Sequence, residues 1–320
     1  MITLMDERDL ARWLRADVRT GFTATPKRLP PKWFYDARGS ALFEEITRLP
    51  EYYPTRTERA VLAEHAAEIA RITEVKTLVE LGSGSSEKTR LLLDALTARG
   101  TLGGFVPLDV SADALGDAVT VLGESYPGLT VTGVVGDFSR HLRHLPDGDS
   151  RMVAFLGGTI GNLTPRERSA FLAALRSTLH EGEWLLLGAG LVKDPAIEVP
   201  AYDDAAGVTA EFNRNVLRVI NRELGAAFDP YAFDHVALWA PGPEWIEMRL
   251  RSRVAQRVAI PGLGMTVDFA AGEEIRTEVS AKFRRGGITA ELAAAGFEVY
   301  RWWNDPQEWF GLTLARAVRP

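Results

Sequence analysis

A doubly wound, mostly parallel α/β sheet joined to a second, α+β domain is the fold predicted by this 320-residue sequence. Three observations predict it. Between about residues 60 and 190, helical repeats alternate strictly with short apolar runs. Those runs are rich in Val and Leu and lack period-2 polarity, as strands covered on both faces do. A glycine turn, Gly82-Ser83-Gly84, follows the first run, and two stretches, 1–56 and 193–282, break the rhythm before a helix and two strands resume it.

The elements follow in order. Residues 60–72 read as a helix, KTLVEL as a buried strand, SEKTRLLLDAL as a helix and GFVPLDV as a strand. ADALGDAVTVLGESY then reads as a helix, TVTGVVGDF as a third strand and RMVAFLGG as a fourth. PRERSAFLAALRSTL is a helix and EWLLLGAG a strand, and ITAELAAAG, FEVYRWWND and FGLTLARAV complete the sheet. The first 56 residues are rich in proline and aromatics. Residues 193–282 hold one long helix, DDAAGVTAEFNRNVLRVINREL, then alternating segments such as WIEMRLRSRV and EEIRTEVSAKF. The expected division is 57–192 with 283–320 as the sheet domain, and 5–56 with 193–282 as a domain formed by the N-terminus and an insertion.

Composition narrows the function. Hydrophobic residues make up 46% and charged residues 25%, as in ordinary globular proteins. A formal charge of −6 argues against nucleic acid or a membrane surface as partner. The absence of cysteine excludes disulfides, thiolate metal sites and a cysteine nucleophile. MITLMDERDLARWL carries acidic residues in an amphipathic pattern, unlike a signal or transit peptide. The best apolar run, WLLLGAGLV, is half the ~18 residues a membrane span needs. A cytoplasmic monomer is the expectation.

Read from Gly82, the turn GSGSSEKT resembles the phosphate loop G-x-x-x-x-G-K-T, but Glu87 stands where glycine belongs. A carboxylate there would repel phosphates. The dinucleotide pattern fails at the same residue. What survives is Glu80-x-Gly82-x-Gly84 at a strand end, which suits a nucleoside without phosphates. Two glycines admit close backbone approach, and Asp109, ending the next strand, can accept both ribose hydroxyls. Asp137 can accept from an adenine amino group with Phe138 against the ring, and Lys88, on the first helical turn, can meet a carboxylate. Together these fit S-adenosylmethionine.

The insertion is expected to hold the methyl acceptor. Glu274, Arg276, Glu278, Ser280 and Lys282 fall on one face of a strand by spacing, with Glu278 and Ser280 about 7 Å apart. A carboxylate and a hydroxyl so placed can grip the two nitrogens of an imidazole, although the pattern alone favours a solvated charged face. The helix from near Tyr202 is expected to place Tyr202, Thr209 and Asn213 on one stripe whose polar groups a ligand could satisfy. The loop GGTIGNLTP puts Asn162 at the sheet's carboxyl edge, although Thr164-Pro165 also reads as a helix cap. Met248 belongs to the apolar face Ile246, Met248, Leu250. His141-x-x-His144 has metal-like spacing but no third ligand and reads as a solvated surface, so no metal is expected.

Long segments in order, LPPKWFYDARGSALFEEITRLPEYYPTRTE, LVELGSGSSEKTRLLLDAL, FLGGTIGNLTP, YDDAAGVTAEFNRNVL and TEVSAKF, resemble the histidine-specific N-alpha-methyltransferases of ergothioneine biosynthesis over nearly the whole chain. The resemblance implies a Rossmann-like class I methyltransferase sheet, and trimethylation of histidine to hercynine with S-adenosylmethionine. It implies Gly82, Lys88, Asp109, Asp137 and Phe138 as cofactor contacts. For histidine it implies Tyr52, Asn162, Tyr202, Glu278 and Ser280, with Asn162 and Tyr202 on the carboxylate and Glu278 and Ser280 on the imidazole. Tyr35 and Asn162 would lie near the reacting amine, and Tyr35 and Phe212 could face the methylated product by cation–π attraction. Gly190 departs from the family pattern, where an acidic residue is expected. The alternatives are an N-methyltransferase of another amino acid such as a tryptophan derivative, against which Glu278 and Met248 speak, a phosphate-loop nucleotide enzyme, and a non-catalytic amino-acid-binding protein.

Overall fold

Thr77–Leu81, the first buried run, occupies the middle of the larger sheet in the computed structural model, which describes residues 1–84 and 86–319. It pairs in parallel with Gly104–Asp109 on one side and with Arg151–Phe155 on the other. The chain therefore winds outward one way, returns, and winds outward the other way. The reversal leaves a crevice beyond the carboxyl ends of Thr77–Leu81 and Arg151–Phe155, the place where doubly wound sheets bind ligands. Trp184–Gly190 continues the parallel order, and Phe310–Ala317 and Phe297–Asn304 close that edge antiparallel. Chain 1–5, 54–192 and 283–320 forms this unit, and Asp6–Tyr53 with Lys193–Lys282 forms another.

Why these residues make strands is visible in their burial. Leu78, Phe105, Met152, Leu186 and Leu312 are wholly excluded from solvent, under helices carrying Leu62, Ile69, Leu92 and Leu93. A side chain of this size contributes roughly 1.5–3 kcal/mol when buried. The helix Pro54–Thr73 starts on a proline whose missing N–H costs nothing there, and its inward stripe runs through Glu58, Val61, Leu62, Ala66 and Ile69. One position on that stripe is a carboxylate.

The structure departs from the sequence reading in four places. TVTGVVGDF is two short strands, Thr130–Val131 and Val134–Val135, and an additional strand, Ile2–Thr3, pairs in parallel with the second. The first residues are thus a sheet edge, and the amphipathic helix begins only at Glu7, capped by Asp6. The helix after the glycine turn begins at Arg90, so Lys88 sits in the turn preceding it. Tyr202 ends a separate 3-10 turn, Val199–Tyr202, and the long helix runs Val208–Leu224. Asp204 causes this break: its carboxylate accepts from the N–H groups of Val208 and Thr209 and starts the helix there. Tyr202 does not share a stripe with Thr209 and Asn213.

The fourth difference lies in the other unit's sheet, ordered Lys27–Arg28, Glu274–Ala281, Trp245–Ser252 and Phe233–Ala240. Met248 opposes Glu278 while its neighbour Arg249 opposes Arg276, so Thr277 is the extra residue of a β-bulge. Opposed residues share a face, and the bulge therefore splits the expected row of five. Glu278 and Ser280 lie with Met248 and Ile246. Glu274 and Arg276 lie on the opposite face with Glu247 and Arg249, where Arg249 bonds Glu247 and Glu274. The strands Gln256–Ile260 and Met265–Phe269 form a separate hairpin. Phe22, Phe228, Phe233 and Phe269 pack edge-on and tilted in this unit's core.

Candidate active site

In the sheet unit the candidate site is built mainly from backbone. Gly82 and Gly84 hold φ of +69° and +50°, a conformation side chains resist, and so the loop turns back over the strand end. A Cβ on Gly82 would meet the Phe138 ring at 3.9 Å. Asp109 ties the loop down: one carboxylate oxygen accepts from Gly84 N at 2.9 Å and the other from Ser111 N at 3.0 Å. Each oxygen retains acceptor capacity. Asp137 caps the turn Phe138–His141 and accepts from the N–H and hydroxyl of Ser139. Phe138 packs edge-on against Phe155 and Phe171.

Glu80 lies under this loop, bonded to the hydroxyls of Ser86 and Thr89. Burial pushes its carboxyl up to about 7, against the pull of those hydroxyls and Lys88. Ser83 Oγ is buried with no hydrogen-bond partner among the described residues. An orphaned hydroxyl beside two permissive glycines fits a polar ligand laid on the loop.

Sequence reasoning missed Glu58. It is 1% exposed, pairs with the Lys88 ammonium, and accepts from Gly157 N at 2.7 Å. Its carboxylate fits because residue 188 is glycine, where a Cβ would stand 2.2 Å from Glu58 Oε1. An acid therefore does stand at the end of Trp184–Gly190, though it comes from a helix rather than from position 190. The signal was a Glu in register with Val61, Leu62, Ala66 and Ile69 on an apolar stripe. Asn162 ends the 3-10 turn Thr159–Asn162 just beyond Gly157 and Gly158. His141 is not a simply solvated residue, since its Nδ1 accepts from Asp137 N at 3.0 Å. Among the described residues no group of three His, Cys, Asp or Glu side chains could hold a metal.

In the other unit the candidate site is made of side chains. Glu198 is fully buried and accepts from Tyr53 OH at 2.8 Å and from Lys193 Nζ at 2.8 Å. Lys282 Nζ, 3.6 Å from Glu198, donates to Tyr202 OH at 2.7 Å and to Ser280 Oγ at 3.0 Å. Tyr202 OH and Ser280 Oγ share a third bond of 2.7 Å. Burial, then the charges of Glu198 and Glu278, raise the Tyr202 phenol and keep it protonated. Burial lowers Lys282 while the same two carboxylates draw it back up.

Tyr202 is also held from behind. His235 donates Nε2–H to its carbonyl at 2.7 Å and accepts at Nδ1 from Asn213 at 2.8 Å, and burial favours the neutral ring. Asn213 also bonds Thr277 and the Arg249 carbonyl, so protein groups rather than a ligand satisfy it. The aromatic residues gather as well: Tyr35 lies 5.3 Å from Phe212 and 5.6 Å from Phe43, and Tyr52 lies 6.1 Å from Phe43 and 6.3 Å from Tyr202. Tyr35 is the exposed member and Phe212 is buried. Tyr35, Tyr52, Tyr202, Glu278 and Ser280 thus fall in one unit, and Asn162 with Gly82, Lys88, Asp109, Asp137 and Phe138 in the other.

The reversed strand order and the nucleoside-sized glycine turn define a class I, S-adenosylmethionine-dependent methyltransferase. Residues 14–317 match the sequence profile described as histidine-specific methyltransferase, SAM-dependent, and the chain belongs to that family. It is 58% identical over 305 residues to the histidine N-alpha-methyltransferase of Mycolicibacterium smegmatis, with 95% of each chain covered. It is 57% identical over 302 residues to the enzyme of that name from Mycobacterium tuberculosis, with 94% of each covered. Ergothioneine biosynthesis protein 1 of Neurospora crassa is 33% identical over 92% of this chain, which spans 34% of that longer protein. Membership in an S-adenosylmethionine-dependent family replaces the phosphate-loop alternative.

Proposed function

We propose that this protein trimethylates the α-amino group of L-histidine to hercynine, the first step of ergothioneine biosynthesis. The observation that carries the reading is the placement of Glu278 and Ser280 on one face of a strand: an acceptor and a hydroxyl so placed suit the N–H and the bare nitrogen of a neutral imidazole. The identity with the mycobacterial enzymes supports it, as does the likeness to the Neurospora protein.

The proposed division of labour assigns S-adenosylmethionine to 57–192 with 283–320, and histidine to 5–56 with 193–282. Gly82 and the orphaned Ser83 hydroxyl would meet the nucleoside, Asp109 the ribose hydroxyls, and Asp137 and Phe138 the adenine. Lys88 would meet the methionine carboxylate with Glu58 holding its ammonium in place, a constraint absent from the sequence reading. Asn162 and Tyr202 would take the histidine carboxylate, Glu278 and Ser280 the imidazole, with Tyr52 alongside. We further propose a cytoplasmic monomer and, on the −6 charge, no nucleic-acid partner.

The bound donor supplies an electrophilic methyl on a cationic sulfur. The chain's task is to present the amine neutral, in line and close. A positive neighbour and desolvation both lower an ammonium pKa, and so no strong base is required. Tyr35 and Asn162 would orient the nitrogen, and the Tyr35 face would tolerate the growing cationic product.

The test is incubation with S-adenosylmethionine and a mixture of free amino acids, read by mass spectrometry. Histidine gains three methyl groups on this reading. Methylation of a tryptophan derivative instead, or accumulation of monomethylhistidine alone, overturns it.

A further inference from the structure

Lys282 has no place in the roles above, yet it is buried against the two hydroxyls that carry them. We infer that Lys282 is a positioning residue that fills one acceptor position on each oxygen of the Tyr202–Ser280 pair, so that the pair always presents one outward O–H to a ligand with a bare acceptor atom. The inference deepens the histidine reading and rests on it.

A proton count leads there. Tyr202 OH and Ser280 Oγ bring two hydrogens and two pairs of lone pairs. Lys282 Nζ donates to both oxygens, filling one acceptor position on each. One hydroxyl hydrogen is consumed in the 2.7 Å bond between them. Whichever oxygen receives that bond is then full, and its own hydrogen must point away from the cluster. The pair therefore presents one outward O–H in either arrangement, on the receiving oxygen, and one unfilled acceptor position on the other.

Lys282 is held in this role by its surroundings. Glu198 stands 3.6 Å from its nitrogen, and Lys193 and Tyr53 occupy the rest of that carboxylate. With Glu198 so engaged, the Lys282 N–H groups are directed to the hydroxyls. Without the ammonium, the receiving oxygen keeps a lone pair and can turn it outward in place of its hydrogen, and the pair no longer holds an O–H toward a bare acceptor.

A double-mutant cycle tests this, with histidine titrated calorimetrically into enzyme saturated with S-adenosylhomocysteine. Lys282→Met is expected to weaken histidine at least about 10-fold, and by less than about 2-fold when Ser280→Ala and Tyr202→Phe are already present. Lys282→Gln, whose amide keeps two N–H donors, is expected to stay within about 3-fold of the parent. Equal losses in both backgrounds, or no loss in Lys282→Met, overturn the inference. Should Lys282→Met fail to fold, Lys282→Gln carries the test, and a loss as large as that of Ser280→Ala overturns it. A parent enzyme that binds S-adenosylhomocysteine and gives no heat with histidine would instead sink the histidine reading itself.

Discussion

The glycine turn of the sheet unit and the polar cluster of the other unit solve binding in opposite ways. Around Gly82 the groups are backbone amides and strand-end carboxylates, set by φ angles and by one carboxylate, Asp109, bonded to two N–H groups. Around Tyr202 they are side chains from residues 53, 193, 198, 202, 280 and 282, held by one another. The first arrangement needs two successive strands and the backbone turns that end them. The second exists only after the chain has folded, and each member depends on the rest.

That contrast can be broken or sharpened by experiment. The largest effect is expected from pH acting on the turn. Glu80 has its carboxyl raised from 4.5 to about 7, so the folded chain holds a proton there that the unfolded chain has released. The stability from that proton is fully present below pH 4.5 and is lost as pH rises toward 7, by up to roughly 3 kcal/mol, and stays level above. Urea melts should show stability falling from pH 5 to 7 in the parent and staying level in Glu80→Gln, and a parent whose stability is flat across that window would refute the assignment.

Next come the two ligand halves. Asp109→Ala should weaken S-adenosylhomocysteine about 100-fold, through two lost charge-assisted bonds to hydroxyls. Glu278→Ala should weaken histidine about 30-fold and leave S-adenosylhomocysteine within about 2-fold. Calorimetry on both variants checks the split; an Asp109→Ala effect confined to histidine would reverse the proposed division. The smallest effect is expected at Gly188→Ala, where the new methyl crowds Glu58. A loss of about 1.5 kcal/mol in stability is expected from such overpacking, together with weaker cofactor binding as Lys88 loses its anchor. Unchanged melting and unchanged binding would show that Glu58 yields freely.

Legibility in the sequence followed the same divide. Strand and helix alternation, the glycine turn and the strand-end acids Asp109 and Asp137 were readable because each is fixed by neighbours within a few residues. The short strand Ile2–Thr3 was not, since two residues carry no periodicity and only the partner Val134–Val135 makes them a strand. Glu198 and Lys193 gave no signal: each is an ordinary charged residue until Tyr53 closes on them from 140 positions away. Glu58 was readable in principle, as a carboxylate on an apolar helical stripe. The shared face of Glu278 and Ser280 was anticipated from spacing, but the same count wrongly added Glu274 and Arg276, because a bulge leaves no mark in composition.

That bulge has an evolutionary corollary. Because Thr277 inverts the parity of everything upstream of it relative to Glu278, which side chains share a face of this strand is encoded in strand length as well as in residue identity. A single-codon deletion of Thr277 would restore a regular ladder with the same cross-strand partners, whereas a single insertion or loss elsewhere in Glu274–Ala281 would exchange the faces of the residues on one side of it. The two faces of that sheet can thus trade side chains by a change of length alone, with no substitution of any residue.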